Sequence, residues 1–280
     1  LLPLVGAFHL MLSMLEDSGY LPRLATMVDR SLAFLGLNGR AVIPIILGFG
    51  CITSATITTR LLTSEKEKTI ATAILQFVIP CSAQMAVIAA LLAGAGFAPV
   101  LLYIGVMLCV LVAAGTILNK TLRGETQPLL LDLPPLRLPR PSNVLRKTSI
   151  RTYHFMKEAS GWFFVGALAV SVAQLTGVLR VLVSALKPLV VHWLQLPPEA
   201  ATAFVMGVVR RDFGAAGLYH MSLTPLQIVV ALITITLFVP CIASLIVMMK
   251  ERGIKEGTVI WMGTFVGAFA VAGIVSHIVM

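Results

Sequence analysis

"FVIPCSAQM", residues 77–85, and "LFVPCIASL", residues 237–245, each set a Pro-Cys pair inside a run that otherwise reads as smooth apolar helix. The first lies in a stretch from Thr69 to Asn119 that carries no formal charge. Such a stretch can cross a hydrocarbon layer of about 30 Å twice, at about 20 residues per crossing. Proline inside a helix removes a backbone donor and clashes with the preceding turn, so both runs are expected to break. In lipid, the carbonyls released upstream of Pro80 and Pro240 need a polar or ionic partner.

Composition fixes the setting. Of 280 residues, 58% are hydrophobic and only 12% charged, about half the charged share of an average soluble domain. That excludes an ordinary soluble enzyme. Apolar segments long enough to span fall at 66–95, 97–118, 158–178, 224–250 and 257–279. The net charge of +9 does not imply nucleic acid, because eight basic residues against three acidic ones cluster between Lys120 and Glu158. A basic loop between spanning helices marks the cytoplasmic side, and the lipid bilayer itself is a partner for those charges. The opening "LLPLVGAFHLMLSML" has no basic n-region, so it is expected to be the cut end of a longer protein rather than a signal peptide.

Walking outward from the loop 119–157 gives two matched halves. The first, 1–118, comprises a helix 1–15, an interfacial helix 20–36, a hairpin 41–62 and helices 66–95 and 97–118. The second, 158–280, comprises a helix 158–178, an interfacial helix 180–196, a hairpin 198–220 and helices 224–250 and 257–279. Ser18-Gly19 aligns with Thr176-Gly177 at an offset of 158, Gly48 with Gly207 at 159, and Pro80-Cys81 with Pro240-Cys241 at 160. A slowly drifting offset indicates an internal repeat. The number of crossings between the halves makes the repeats inverted if the hairpins are re-entrant, and broken helices at the interface of inverted repeats are where secondary transporters hold their cargo. The predicted fold is therefore an all-α, polytopic transmembrane helical bundle of two inverted gate repeats, each a re-entrant hairpin plus a broken helix.

Freed carbonyls can take a cation, and a neighbouring thiol adds a soft ligand suited to copper(I), zinc or iron. Cys81 and Cys241 are therefore candidate ligands, with Pro80 and Pro240 as the breaks. Cys51 closes "GFGC" (48–51), where Gly48 and Gly50 suit an unwound hairpin tip. The second hairpin carries Arg210, Arg211 and Asp212 at the matching depth, and intramembrane charges line a pathway or pair with each other. Glu16 and Asp17 follow the first apolar segment. The plainer readings are that the cysteines pack as small hydrophobes, as expected for Cys109 in an unbroken helix, and that Arg211 and Asp212 only lock their hairpin. Met14 and Met85 read as gap-fillers, and the five histidines show no ligand spacing.

"LEDSGYLPRLATMVDR" (15–30), "GFGC" with "PCSAQ" (80–84), the stretch 124–155, and "RRDFGAAGLY" with "LFVPCIA" and "KERG" together resemble the membrane region of the bacterial ferrous iron transport protein B family, FeoB. The resemblance implies Fe(II) as the transported ion, the bacterial inner membrane as location, and Cys51, Cys81, Cys241, Glu16 and Asp17 along the ion path. It also implies a cytoplasmic linker in 124–155. Members begin with a GTP-binding domain, and this chain has no G-x-x-x-x-G-K-[ST] phosphate loop. The chain is thus expected to be no enzyme by itself, with any GTP site on a missing domain or a separate partner chain, and a homo-oligomer is possible. Two alternatives compete: a carrier of nucleosides or another small solute, with Gln84, Thr53 and Ser54 reading a ring, or a non-transporting membrane scaffold.

Overall fold

The computed structural model describes residues 2–122, 124, 138–209, 211–219, 221, 223–238 and 241–279. Every regular element among them is helical: α1 (Leu2–Asp17), α2 (Tyr20–Ala33), α3 (Val42–Gly50), α4 (Ile52–Thr58), α5 (Glu65–Phe77), α6 (Ser82–Ala93), α7 (Phe97–Thr121), α8 (Pro141–Leu175), α9 (Val178–Pro188), α10 (Ala200–Val209), α11 (Arg211–Tyr219), α12 (Pro225–Phe238), α13 (Ile242–Arg252) and α14 (Ile254–Val279). Short 3₁₀ turns flank the first hairpin, and a π turn over Leu189–Trp193 follows Pro188. By length and composition α7, α14 and the stretch Pro225–Arg252 can each cross a membrane, and α5 with α6 makes a fourth candidate, bent by 40° at its break. The architecture is an all-α membrane bundle.

Several boundaries differ from those expected. The segment 66–95 divides into α5 and α6, because Val78–Pro80 cannot continue the ladder. The helix expected at 158 begins at Pro141, since proline at the first helical position gives up only a donor that would be orphaned anyway. The interfacial helix expected over 180–196 ends at Pro188 and gives way to the π turn. Between α13 and α14 the connection is the single residue Gly253, at φ 82°, so "KERGIKEG" is almost wholly helical.

The described chain gathers into two compact units, Leu1–Leu75 with Val112–Trp162, and Gln76–Leu111 with Phe163–Met280. They cut across the two halves of the sequence. In the first, α1 to α4 pack on one another, and the turn after α2 closes onto the end of α7. A Cβ at Gly36 (φ +76°) would come within 2.5 Å of the Asn119 side chain, so only glycine fits there. The fully buried Glu67 accepts a hydrogen bond from Asn38 Nδ2 at 3.1 Å, which a buried carboxylate requires.

In the second unit, α12 is buried on every side from Val229 to Phe238, the mark of a central helix. Phe238, Phe265 and Phe269 form a ring cluster with centroids 5.0 to 5.1 Å apart. Trp193 in the π turn donates Nε1–H to Phe269 O at 2.9 Å, and Ser276 Oγ donates to Leu194 O at 3.0 Å, fastening the turn to α14. By contrast, α7 turns Phe97, Leu101, Ile104, Leu108 and Val112 outward at helical spacing, a stripe that suits hydrocarbon.

Candidate functional site

The three cysteines singled out by sequence share one local geometry. Cys51, Cys81 and Cys241 are each extended (φ −150°, −78° and −67°) and each immediately precedes a helix: α4, α6 and α13. Their carbonyls start those helices, accepting from Ala55, Met85 and Leu245 N–H at 3.0, 2.8 and 3.0 Å. All three are half-buried and none is in a disulfide. Cys241 Sγ also accepts the Ser244 N–H at 3.4 Å, acting as the cap of α13. Cys109 is exposed on an unbroken α7, so the core packing expected of it gives way to an outward position.

Cys81 and Cys241 lie in the same compact unit, and the two helix breaks they close are bracketed by two hydrogen-bonded contacts. Before the first break, Gln76 Nε2 donates to Ser244 O at 3.4 Å, while Ser244 Oγ donates to Gln76 Oε1 at 3.1 Å. After it, Gln84 Nε2 donates to Thr236 Oγ1 at 3.2 Å. Thr236 lies 160 residues beyond Gln76, and Ser244 lies 160 beyond Gln84. The residue five before one cysteine therefore meets the residue three after the other, in both directions. Such mutual exchange is what a twofold relation produces. Gln76, Gln84, Thr236 and Ser244 are all fully buried.

The matched positions share further detail. Gly19 and Gly177 both sit at φ 76° before α2 and α9, and the residues ahead of them bond back into α1 and α8, Ser18 Oγ to Leu15 O and Thr176 Oγ1 to Val172 O, each at 2.9 Å.

Cys51, with the buried Gly48 and Gly50, belongs to the other compact unit. Its hairpin buries Thr53, Thr56 and Thr59. Thr56 and Thr59 satisfy their hydroxyls on backbone carbonyls at 2.8 and 2.6 Å, which lets polar residues sit in an apolar place. Glu16 and Asp17 face α8: Glu16 pairs with Arg151 at 2.7 Å and Lys147 at 3.5 Å, and Asp17 Oδ2 accepts from the Arg140 N–H at 2.8 Å at the start of that helix. Arg211 and Asp212 open α11, but their side chains, like Arg210 and Pro240 as a whole, lie outside the described residues. Met14 and Met85 are exposed. Among the described residues no three His, Cys, Asp or Glu side chains gather as a metal-binding group.

Sequence reasoning missed the partners of Gln76 and Gln84, and it missed Glu67 as a buried carboxylate. A polar residue at a fixed distance from each Pro-Cys pair was the available signal for the first two.

The Gate family, described as nucleoside recognition, matches residues 1–95 and 156–255. The ferrous iron transport protein B C terminus family matches residues 100–151. Curated relatives bear the name Fe(2+) transporter FeoB. One from Legionella pneumophila (strain Lens) is 36% identical over 165 residues, covering 56% of this chain and 22% of the relative. One from Methanocaldococcus jannaschii is 26% identical over 322 residues, covering 99% and 47%. One from Staphylococcus aureus (strain COL) is 27% identical over 282 residues, covering 89% and 42%. The chain thus spans less than half the length of these relatives. No solved structure matches.

Proposed function

The chain belongs to the Gate family, and from that premise we propose that it is the membrane part of a ferrous iron transporter, moving Fe(II) across a bacterial inner membrane into the cytoplasm as a multi-pass protein of two inverted gate repeats. The observation that carries this reading is the paired contact of Gln76 with Ser244 and Gln84 with Thr236, which sets two thiol-bearing helix breaks across one another. Sulfur from Cys81 and Cys241 and carbonyl oxygens freed near Pro80 and Pro240 form a mixed donor set suited to a borderline ion. Cys51 serves as the thiol of the first hairpin, and the glycines Gly48 and Gly50 let that hairpin move. Weak sites suffice, because an ion held tightly would not leave.

Glu16 and Asp17 stand at the mouth of the basic linker, where they hold α8 while α8 keeps its present position. The chain itself hydrolyses no GTP; a GTP-binding domain, on the same protein or a partner chain, acts through that linker. Vesicles containing only this chain test the reading: radioactive Fe(II) should accumulate under an inward gradient, and vesicles as tight as empty controls would rule it out. The Gate family's description as nucleoside recognition favours one rival, a solute carrier. Inhibition of uptake by nucleosides, with indifference to transition metals, would decide for it.

A further inference from the structure

Thr236 has one hydroxyl proton and two lone pairs. The proton goes to Leu232 O at 2.7 Å, one helical turn back. Its lone pairs must then accept, so the Tyr103 hydroxyl at 3.0 Å is a donor and Gln84 must offer its NH2 group at 3.2 Å. Turning the Gln84 amide over would set its oxygen against an oxygen whose proton is already used. This network fixes Gln84 Oε1 on the side away from Thr236, where it is fully buried and meets no protein donor. Tyr103, 7% exposed, has its proton committed to Thr236. In the companion contact Gln76 Oε1 is satisfied, since it accepts from Ser244 Oγ at 3.1 Å. Of the two glutamine oxygens in these contacts, Gln84 Oε1 is the one without a donor.

A buried oxygen with lone pairs and no donor attracts positive charge or a proton donor and repels anions. Cys81 is the N-cap of α6 and Gln84 the third residue of that helix, the spacing at which a cap side chain and a first-turn side chain approach each other. We propose that Gln84 Oε1 is an oxygen-donor station for the transported divalent cation, one helical turn from the Cys81 cap of α6. This deepens the proposed function and rests on it. The chemistry assigns a preference: hard oxygen donors beside a soft thiol favour a borderline ion such as Fe(II) over copper(I), which oxygen binds poorly, and over magnesium, which sulfur binds poorly.

Cobalt(II) titrated anaerobically into the purified full chain in detergent tests the station, since its sulfur charge-transfer band reports Cys ligation separately from affinity. Gln84→Met keeps the volume and removes the oxygen. It should weaken cobalt(II) binding by about tenfold or more while the sulfur band at saturation persists and the softer cadmium(II) binds nearly as before. The persisting sulfur band and cadmium(II) affinity exclude a folding defect. Wild-type affinity in Gln84→Met overturns the station and leaves the thiol path standing. Absence of a sulfur band in the wild-type chain overturns both.

Discussion

Gln76 and Ser244, 168 residues apart in sequence, exchange two hydrogen bonds inside the second compact unit, Nε2–H to the Ser244 carbonyl at 3.4 Å and Ser244 Oγ–H to Gln76 Oε1 at 3.1 Å. Their contact joins the last turn of α5 to the first turn of α13. Hydrogen bonds between buried side chains add little net stability, but removing one partner leaves the other desolvated. Ser244→Ala is expected to destabilise by about 1–3 kcal/mol, read as a lower midpoint of thermal unfolding in detergent. Combined with Gln76→Leu, the loss should be smaller than the sum of the single losses, because the second change removes the stranded group. Additive losses would mean that the two side chains do not depend on each other.

The thiols can be separated from their capping role. Cys241 caps α13 through a weak sulfur acceptor, and serine is a better helix cap than cysteine. Cys81→Ser and Cys241→Ser should therefore leave stability unchanged or raise it by up to about 1 kcal/mol, with normal abundance in the membrane. Fe(II) uptake should nevertheless fall in each variant, because a hydroxyl is a harder and weaker ligand than sulfur. Unchanged uptake in both leaves Cys241 a helix cap and neither thiol a part of the ion path.

The helix breaks were legible in the sequence because proline has a fixed local consequence and the neighbouring cysteine recurs with it. The starts of α2 and α9 were legible from Ser18-Gly19 and Thr176-Gly177, whose glycines adopt the same left-handed turn. Pairing was not legible: nothing in one strand of text says that Gln76 meets Ser244 rather than lipid. Gln84 was read only as a group that might face a solute ring, since its free oxygen depends on where the proton of Thr236 goes. The start of α8 at Pro141 falls inside the stretch expected to be the cytoplasmic linker, because a proline in that register opens helices well. Nothing in the sequence around Glu67 marks it as buried; its contact with Asn38 does.

Glu16 and Asp17 fasten α1 to the linker helix, and their expected cost is modest. The Glu16 side chain is 38% exposed, as is that of Arg151, and ion pairs so open to solvent contribute about 0–1 kcal/mol. Glu16→Gln should change the unfolding midpoint slightly at low salt and not at all at high salt, where screening already removes the attraction. Asp17→Ala should cost about 1 kcal/mol by releasing the start of α8, and Asp17→Asn less, since its carbonyl can still accept. If either conservative variant also loses most of its Fe(II) uptake, the carboxylates contribute to the path beyond holding the helix.

The second hairpin depends on small residues in a way that a single methyl group can test. A Cβ at Gly214 would lie 2.7 Å from Gly207 Cα and 2.9 Å from Ala203 O, and one at Gly217 would lie 3.1 Å from Ala203 Cβ. The first two contacts are backbone, so α10 and α11 must separate to admit alanine at 214. Overpacking of this kind costs about 1–3 kcal/mol. Gly263 on α14 has nothing within 4 Å of its Cβ position, and alanine there should stabilise by up to about 1 kcal/mol through helix propensity alone. Thermal unfolding of Gly214→Ala and Gly263→Ala should therefore move in opposite directions. The wider spacing should also slow uptake in Gly214→Ala, because a re-entrant hairpin keeps its backbone out of lipid only while its two arms and their neighbours shield one another. A Gly214→Ala protein that melts and transports like the wild type would show that the arms are not in close contact, and the re-entrant reading of residues 198–220 would have to be exchanged for a full crossing.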